Sequence, residues 1–371
     1  MRYFIAILGT ISIILVTIIN FYPDKVSDMI DNVFGKHEYT MAKANDYYLD
    51  NNNISYVKNY TDDVSNKEEL LNYIYYVVNT GSSYADGECA KNYTDCTRDL
   101  NEISSDEDTL SLINNFVHPF NSFKTISFTY NEHGKFSLII EHIYNDEEIS
   151  KINYIVSMQI DKLITDKMST EEKIKNIHDY IIDNTAYDTL KTDNINDTTY
   201  KSNTAYGVLI QGKGICSGYS DAMAIFLNRL GIENYKISND THIWNLIYLN
   251  GVWVHLDATW DDPVSEFNEN RDTYFLIDTK NLEKLDDGTH SFNKNIYKEV
   301  QIPVDAEIMK IGMGIDCDVR FYKESFFEDF ELVLQKKLNE WNITCSDNVF
   351  IDAGDVRKLI TKKLSHGDSF A

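Results

Sequence analysis

The stretch Gly212-Lys213-Gly214-Ile215-Cys216-Ser217-Gly218-Tyr219 decides the predicted fold of this chain. From Cys216 onward, apolar residues recur every three or four positions as far as Leu230, which predicts a helix. Gly231 follows at the position where helices commonly end. Cys216 therefore lies at or near a helix N-terminus, where unpaired N–H groups and the helix dipole favour a thiolate. Taken alone, the cysteine fits a buried and inert thiol better than a nucleophile, because that is the commonest fate of a lone cysteine.

Asn250-Gly251 predicts a tight hairpin turn between two strand-like runs. Counting outward from a two-residue turn pairs Leu249 with Val252, Ile247 with Val254, Asn245 with Leu256, Ile243 with Ala258, and His242 with Thr259. Side chains alternate between the faces of a strand, so His242 and Asp257 share a face as diagonal neighbours. A slip of one residue in this register would separate them.

The two faces of the predicted hairpin differ in chemistry. The face that we expect to form the core carries Ile243, Asn245, Ile247, Leu249, Val252, Val254, Leu256 and Ala258. The opposite face carries His242, Trp244, Leu246, Tyr248, Trp253, His255, Asp257 and Thr259. A carboxylate that binds one imidazole nitrogen leaves the other free to take a proton from a thiol. Cys216, His242 and Asp257 are therefore candidates for a thiol triad.

Three segments together resemble the core of the transglutaminase-like superfamily, in its bacterial branch. They are Gly-Ile-Cys-Ser-Gly-Tyr (214–219), His-Ile-Trp-Asn (242–245) and Val-His-Leu-Asp-Ala-Thr-Trp-Asp-Asp-Pro (254–263). Upstream, a helix predicted to begin at the capping box of Ser169 and Glu172 is similar to the helix that precedes the cysteine in that family. Tyr187-Asp188, Tyr274-Phe275-Leu276 and His290 also fit the resemblance, which covers roughly residues 165–295.

The resemblance implies an α+β, papain-like fold, in which a helix that bears the cysteine packs against an antiparallel sheet. It also implies roles: Cys216 as nucleophile, His242 as general base and acid, and Asp257 as the orienting acid. The expected chemistry is acyl transfer on protein or peptide amides through a thioester. The family includes cross-linking transglutaminases, peptidases and amidases, and some members have lost catalysis. A catalytically silent scaffold or binding protein is therefore the alternative.

Further residues are candidates for supporting roles in the site. The backbone N–H of Cys216 is one expected oxyanion donor, and Gln211 or Tyr206 is the candidate for a second. Trp244, Trp253, Trp260 and His255 share or follow the His242 face, so we expect them to line the cleft. For His178, a packed and hydrogen-bonded role is favoured over catalysis. The spacing of Cys and His gives no typical zinc motif, and we expect neither metal nor cofactor.

The formal charge of −25 restricts the partners. Phosphate binding needs clusters of Lys and Arg, so nucleic acid is not an expected partner. An anionic membrane surface is disfavoured for the same reason. The expected partner is a protein or peptide substrate, with cell-surface protein and cell-wall peptide both open.

The N-terminal run from Tyr3 to Tyr22 is uncharged and long enough to cross a bilayer as a helix. No small-x-small cleavage site precedes Pro23, which favours an uncleaved signal anchor with a cytoplasmic N-terminus and an extracellular catalytic domain. Secretion after signal cleavage is the alternative. An oxidising compartment would suit disulfides between Cys89 and Cys96 and between Cys317 and Cys345, although five free thiols remain open.

The predicted domain organisation has four parts. Residues 1–22 form the transmembrane anchor, and residues 23–118 form a mostly helical region of unknown function. The transglutaminase-like catalytic domain covers 119–300 and begins with a hairpin between Phe123 and Tyr144. Residues 301–371 form a small α/β segment in which a helix is predicted over Ser325–Trp341.

Overall fold

A computed structural model of the chain describes residues 40–50, 54, 56, 64–131, 134–194, 196–249, 252–262, 271–285 and 288–301, and the backbone of three short strands beyond them. Among these residues, no helix combines the length and apolar character needed to span a membrane. The predicted anchor at 1–22 and the predicted helix at 325–341 lie outside the described residues, as do Cys317 and Cys345. The chain divides into the units Met1–Ala42 and Lys43–Ala371, and the elements below all belong to the second.

The part of this unit before residue 145 combines helices with a three-stranded sheet. Its elements are α1 (Lys67–Asn79), β1 (Tyr84–Glu88), α2 (Cys96–Ser105), α3 (Glu107–Ile113), a 3-10 turn (Pro119–Asn121), β2 (Phe123–Tyr130) and β3 (Lys135–His142). The predicted hairpin is β2–β3, and β1 pairs antiparallel with the other edge of β3. The region before residue 118 is therefore not helical throughout, because it supplies a strand to a sheet that extends beyond the predicted boundary. Cys89 and Cys96 form a disulfide.

The middle of the chain builds the helical layer that carries the cysteine. It contains α4 (Asp146–Leu163), α5 (Thr170–Asn184), β4 (Ala186–Tyr187), α6 (Thr189–Asp193), a π-helical turn (Gly207–Gln211), β5 (Lys213–Gly214) and α7 (Cys216–Arg229). Ser169 and Glu172 form the predicted capping box of α5, and Gly231 follows α7 with a φ of +70°. The start of α5 and the end of α7 therefore lie at the residues that the sequence indicated.

A three-stranded antiparallel sheet lies against α7. Its strands are β6 (Asn234–Ser238), β7 (Ile243–Leu249) and β8 (Val252–Leu256), in the order β6-β7-β8. Leu249 pairs with Val252 and Asn245 with Leu256, so the predicted register is confirmed. The residues of the predicted core face that join the main apolar cluster are Ile247, Leu249, Val254, Leu256 and Ala258.

The second face of this sheet is also buried. Residues 271–285 and 288–301, named here the covering segment, contain α8 (Thr279–Leu285) and a 3-10 turn (Lys298–Gln301). His255 and Ile277 exchange two backbone hydrogen bonds, and Asp257 N–H donates to Tyr274 O. Phe292 and Tyr297 pack on the same face through His255 and Tyr235. Burial on both faces fixes the ends of β7 and β8, where the candidate site lies.

Beyond the covering segment, three short strands form a separate sheet. They are β9 (Ile308–Lys310), β10 (Asp318–Arg320) and β11 (Val349–Phe350), in the order β11-β10-β9. Strand β10 pairs antiparallel with β9 and parallel with β11. These strands agree with the strand component predicted for 301–371.

Candidate active site

Cys216 is the first residue of α7, and its position depends on close packing before and after it. Ile215 adopts an extended conformation at the N-cap and donates its N–H to Ser202 O. A Cβ on Gly218 would lie 2.2 Å from that same Ser202 oxygen, so a glycine is required for this close approach. No side chain caps α7, which leaves its first N–H groups available for a developing negative charge.

His242 and Asp257 lie just beyond the paired ends of β7 and β8. The Nε2 of His242 is 2.5 Å from Oδ2 of Asp257, and both side chains are buried. The predicted diagonal contact is therefore present in the structure. Backbone hydrogen bonds from His255 and Asp257 to the covering segment hold the end of β8 in place.

Cys216 carries a free thiol that is hydrogen-bonded to the ring of His242. Because Nε2 faces Asp257, Nδ1 is the nitrogen left for the cysteine. Burial disfavours the charged ring, but the hydrogen bonds with Asp257 and Cys216 outweigh burial and raise the pKa of His242 from 6.5 to about 10. At neutral pH the ring is therefore an imidazolium between a carboxylate and a sulfur.

The Asp257 carboxylate is bound on both oxygens. Oδ1 accepts from the backbone N–H groups of Thr259 and Trp260, at 2.8 and 3.2 Å. Oδ2 interacts with His242 and also with Nε2 of His290, at 2.9 Å. Burial alone would raise the pKa of this carboxyl, but the hydrogen bonds with the two histidines hold the pKa well below its usual range. Asp257 therefore stays ionised.

The role of His290 was missed by the sequence reasoning, which noted the residue only as part of a resemblance. His290 lies 33 positions after Asp257, beyond any register that the hairpin fixes. Its ring is packed among the rings of Trp244, Tyr274 and Trp260, with centroids 4.9 to 5.0 Å away. The covering segment therefore brings a second histidine to the carboxylate.

Asn239 links the two backbone segments that carry His242 and His290. Its Oδ1 accepts from the backbone N–H groups of Thr241 and His242, at 3.0 and 2.9 Å. Its Nδ2 donates to the carbonyls of Thr289 and Ser291, at 2.8 and 2.9 Å, on either side of His290. One amide therefore sets the distance between the loop before β7 and the covering segment.

One comparison with known proteins covers the segment that carries the three candidate catalytic residues. The model of the transglutaminase-like superfamily matches residues 158–258, which include Cys216, His242 and Asp257. This segment belongs to the transglutaminase-like superfamily. No curated protein matches the chain.

Two solved structures resemble part of this chain. One is the crystal structure of a TGase, with a TM-score of 0.29, 18% identity, and coverage of 40% of this chain and 47% of the other. Another is a candidate cysteine protease from Cytophaga hutchinsonii, with a TM-score of 0.23, 12% identity, and coverage of 36% of this chain and 61% of the other. The chain thus spans less than two thirds of either protein.

Most of the residues expected to line the cleft of the transglutaminase-like domain are buried instead. Trp244 and His255 are each 1% exposed, and Trp253 packs between Tyr235 and Tyr248. The prediction was wrong for these three because the covering segment closes the sheet face that was expected to be open. Trp260, at 42% exposed, lies on the surface beside His242.

His255 is a structural member of that closed face. Nδ1 of His255 accepts from Nε1 of Trp244 at 2.9 Å, so Nε2 carries the proton and faces Thr279 Oγ1 at 3.0 Å. Burial, helped by the nearby His290, lowers the pKa of His255 from 6.5 to about 3. The ring is therefore neutral and orients Trp244, which stacks on His242 at 5.6 Å.

The two candidates for a second oxyanion donor make other contacts. Gln211 is exposed, and its side-chain oxygen accepts from the backbone N–H of Lys201. Tyr206 is half-buried between the ammonium groups of Lys151 and Lys201, which lie 5.9 and 5.8 Å from its ring centroid. These contacts direct both side chains toward the loop at 201 in the state described.

His178 and Asp261 form a second buried pair close to the site. The Nε2 of His178 is 3.2 Å from Asp261 Oδ2, and Asp261 Oδ1 accepts from Tyr274 N–H. His178 is fully buried, as expected for a packing residue. The pair ties α5 to the covering segment without touching His242.

Among the residues that the structure describes, two groups of side chains have the donor types of a metal site. They are His242, Asp257 and His290, and His178, Asp179 and Asp272, with ligand atoms within 4.8 Å of one another in each group. In the first group the donor atoms bind each other, and in the second the carboxylates also bind Lys175. Hydrogen bonds and ion pairs account for both, and the expected absence of a metal or cofactor stays a prediction.

Proposed function

We propose that this chain is an extracytoplasmic thiol enzyme that transfers acyl groups from protein or peptide amides through a thioester on Cys216. The observation that carries the proposal is the buried hydrogen bond between His242 and Asp257, together with the free thiol of Cys216 at the start of α7. Nucleophile, proton carrier and orienting acid stand in the order that thiol catalysis requires. Membership of the superfamily supports the general class of chemistry.

In the proposed reaction, the Cys216 thiolate attacks the amide carbonyl carbon, and the carbonyl oxygen becomes an oxyanion. N–H groups at the start of α7, including that of Cys216, would stabilise this charge. The C–N bond then breaks, the His242 imidazolium gives its proton to the departing nitrogen, and the acyl group stays on sulfur. In the second half, His242 takes a proton from water or an amine, which attacks the thioester and releases the thiolate.

The acceptor decides whether the reaction is hydrolysis or cross-linking. Water gives a carboxylic acid and hence a peptidase or amidase, whereas an amine gives a new amide. Both remain in the proposal, because both use the same acyl-enzyme. A silent scaffold is the competing function, and the pairing of His242 with a free thiol favours catalysis over it.

The proposed location is the outer side of the membrane. The disulfide between Cys89 and Cys96 supports an oxidising compartment, since reducing cytosol rarely preserves such bonds. The uncharged run from Tyr3 to Tyr22 supports attachment by a signal anchor.

The proposal is tested by trapping the thioester. The protein is incubated with dimethylated casein and a fluorescent primary amine in one arm, and with a tryptic peptide mixture alone in the other. Incorporation of the amine indicates transamidation, and new peptide termini indicate hydrolysis. Mass spectrometry at low pH should find an acyl adduct on Cys216.

Cys216→Ala should abolish both activities and leave the melting temperature nearly unchanged. The matched control is Cys317→Ala with Cys345→Ala, which removes two other cysteines and should keep activity. Activity that persists in Cys216→Ala would refute the proposed mechanism. A wild-type protein inert in both arms, with a Cys216 that does not react with iodoacetamide, would favour the scaffold.

A further inference from the structure

A cleft of about 730 Å³ adjoins the candidate active site. Ser217 and Ile243 belong to its lining, and they directly follow Cys216 and His242 in the chain. Helix α3 and the covering segment supply its other walls. Binding sites for small ligands and short peptide segments have volumes in this range. A molecule in this cleft would contact the residues that directly follow Cys216 and His242 in the chain.

Lys236 is a buried cation in the wall of this cleft. The residue is 5% exposed, and its Nζ donates to Asp221 Oδ1 at 2.6 Å. The second oxygen of Asp221 accepts from the hydroxyl of Tyr144 at 2.6 Å. An ammonium has three N–H donors, and among the described residues Asp221 is the one acceptor that binds this Nζ. Two donors are therefore left for an acceptor in the cleft.

The remaining charges of the lining are negative. Asp108 and Asp240 lie in the lining and are exposed, whereas the charge of Lys236 is balanced by Asp221. Much of the rest of the lining consists of asparagine and serine side chains, including Asn114, Asn203, Asn293, Ser111, Ser238 and Ser291. Such a surface suits a hydrogen-bonding ligand that is neutral or cationic, and it disfavours an anion.

We propose that this cleft binds the peptide segment that flanks the amide attacked by Cys216, and that it selects for basic residues. Lys236 donates to a peptide carbonyl of that segment, and Asp108 and Asp240 attract a lysine or arginine side chain near it. A peptide carbonyl is the acceptor that matches a cation already neutralised by Asp221. This inference rests on the proposed thiol chemistry and adds the class of substrate to it.

The test uses three tetrapeptide chloromethyl ketones that are identical except for lysine, alanine or glutamate at one position. In each reaction the Cys216 sulfur forms a bond to the methylene carbon and chloride leaves. Inactivation rate constants are followed by intact mass, with iodoacetamide as a reagent that has no peptide. Asp108 and Asp240 should attract the lysine peptide and repel the glutamate peptide. We therefore expect the inactivation rate constant of the lysine peptide to be about tenfold that of the glutamate peptide, and this ratio should fall in high salt.

Iodoacetamide separates this inference from the proposed function. A thiol that fails to react with iodoacetamide contradicts the proposed function itself. A thiol that reacts with iodoacetamide but shows equal rates with the three peptides overturns the cleft inference alone.

Variants assign the preference to the cleft. Asp108→Asn with Asp240→Asn should reduce the lysine-to-glutamate ratio to about twofold or less. Asp161→Asn with Asp166→Asn, which removes two exposed carboxylates outside the cleft lining, is the matched control and should keep the ratio. A ratio that responds equally to both changes would reflect the overall charge of the protein and would overturn the proposal.

The role of Lys236 is tested in a variant that also removes the charge of Asp221. Lys236→Met alone leaves Asp221 buried without its cation, so the double variant Lys236→Met with Asp221→Asn is the one to compare, after its melting temperature is measured. We expect about a tenfold slower reaction with all three peptides and an unchanged rate with iodoacetamide. Peptide rates equal to the wild type in a folded double variant would overturn the role of Lys236.

Discussion

Replacing Asp257 with asparagine should change the pH dependence of activity as well as its maximum. The carboxylate is the larger of the two hydrogen-bonding contributions that hold the pKa of His242 at about 10. An asparagine has no charge, so the pKa of the ring should return toward 6.5. Because the imidazolium gives the proton to the leaving nitrogen, activity should fall as the ring loses its proton.

The size of the effect follows from the fraction of His242 that is protonated. With a pKa of about 10, the ring is protonated almost completely at pH 6 and at pH 8. With a pKa near 6.5, the fraction is about 0.76 at pH 6 and about 0.03 at pH 8. The variant should therefore lose about 1.3-fold at pH 6 and about 30-fold at pH 8 from protonation alone. Loss of ring orientation multiplies this loss of activity by a factor that does not depend on pH. The total loss of activity in Asp257→Asn should be about 10–10³-fold.

The assay is a profile of kcat/KM between pH 5 and pH 10.5, with a substrate that the thioester-trapping experiment identifies. The wild type should keep activity up to about pH 10, and Asp257→Asn should decline above about pH 6.5. Asp261→Asn is the matched control, since this buried carboxylate binds His178 and Tyr274 and does not contact His242. An alkaline limit unchanged in Asp257→Asn, or a greater loss in Asp261→Asn, would refute the assignment of the third residue.

Three further predictions concern stability. His290→Phe keeps the aromatic packing but removes a hydrogen-bond donor to the buried Asp257 carboxylate. It should lower the free energy of unfolding, measured in urea, by about 1.5–3 kcal/mol. A decrease no larger than that of a surface His→Phe change would contradict this prediction. The folded pKa of His242 is raised, so its stabilising contribution is complete below about pH 6.5 and disappears as the pH rises to about 10. The Tm of the wild type should accordingly fall more between pH 8 and pH 10 than that of His242→Gln, and parallel curves would argue against the raised pKa. Cys89→Ala with Cys96→Ala removes a disulfide whose cysteines are seven residues apart in the chain. The chain-entropy relation predicts that the free energy of unfolding falls by about 2 kcal/mol. Thr97→Ala is the control.

Local sequence signals predicted the parts of the site that depend on short-range geometry. The turn predicted at Asn250-Gly251 implied a register that the structure shows from Leu249–Val252 to Asn245–Leu256. That register alone was enough to bring His242 to Asp257. The capping box at Ser169 and the glycine after α7 likewise marked helix limits that the structure contains.

Contacts between distant segments could not be read from the same signals. Alternation predicted two faces for the hairpin but gave no information about what would cover the second, so Trp244 and His255 were expected in a cleft. The covering segment buries them and brings His290 to Asp257. Strand β1 was missed for the same reason, because its partner β3 lies about 50 residues further along and the strand contains only five residues.

The position of His290 has a consequence for the timing of activity. During synthesis, Cys216, His242 and Asp257 leave the ribosome well before His290 and the rest of the covering segment. Until that segment docks, Asp257 lacks one donor and the aromatic face behind His242 is exposed to water. We therefore expect a growing or truncated chain to hold a thiol that is less reactive than that of the complete chain.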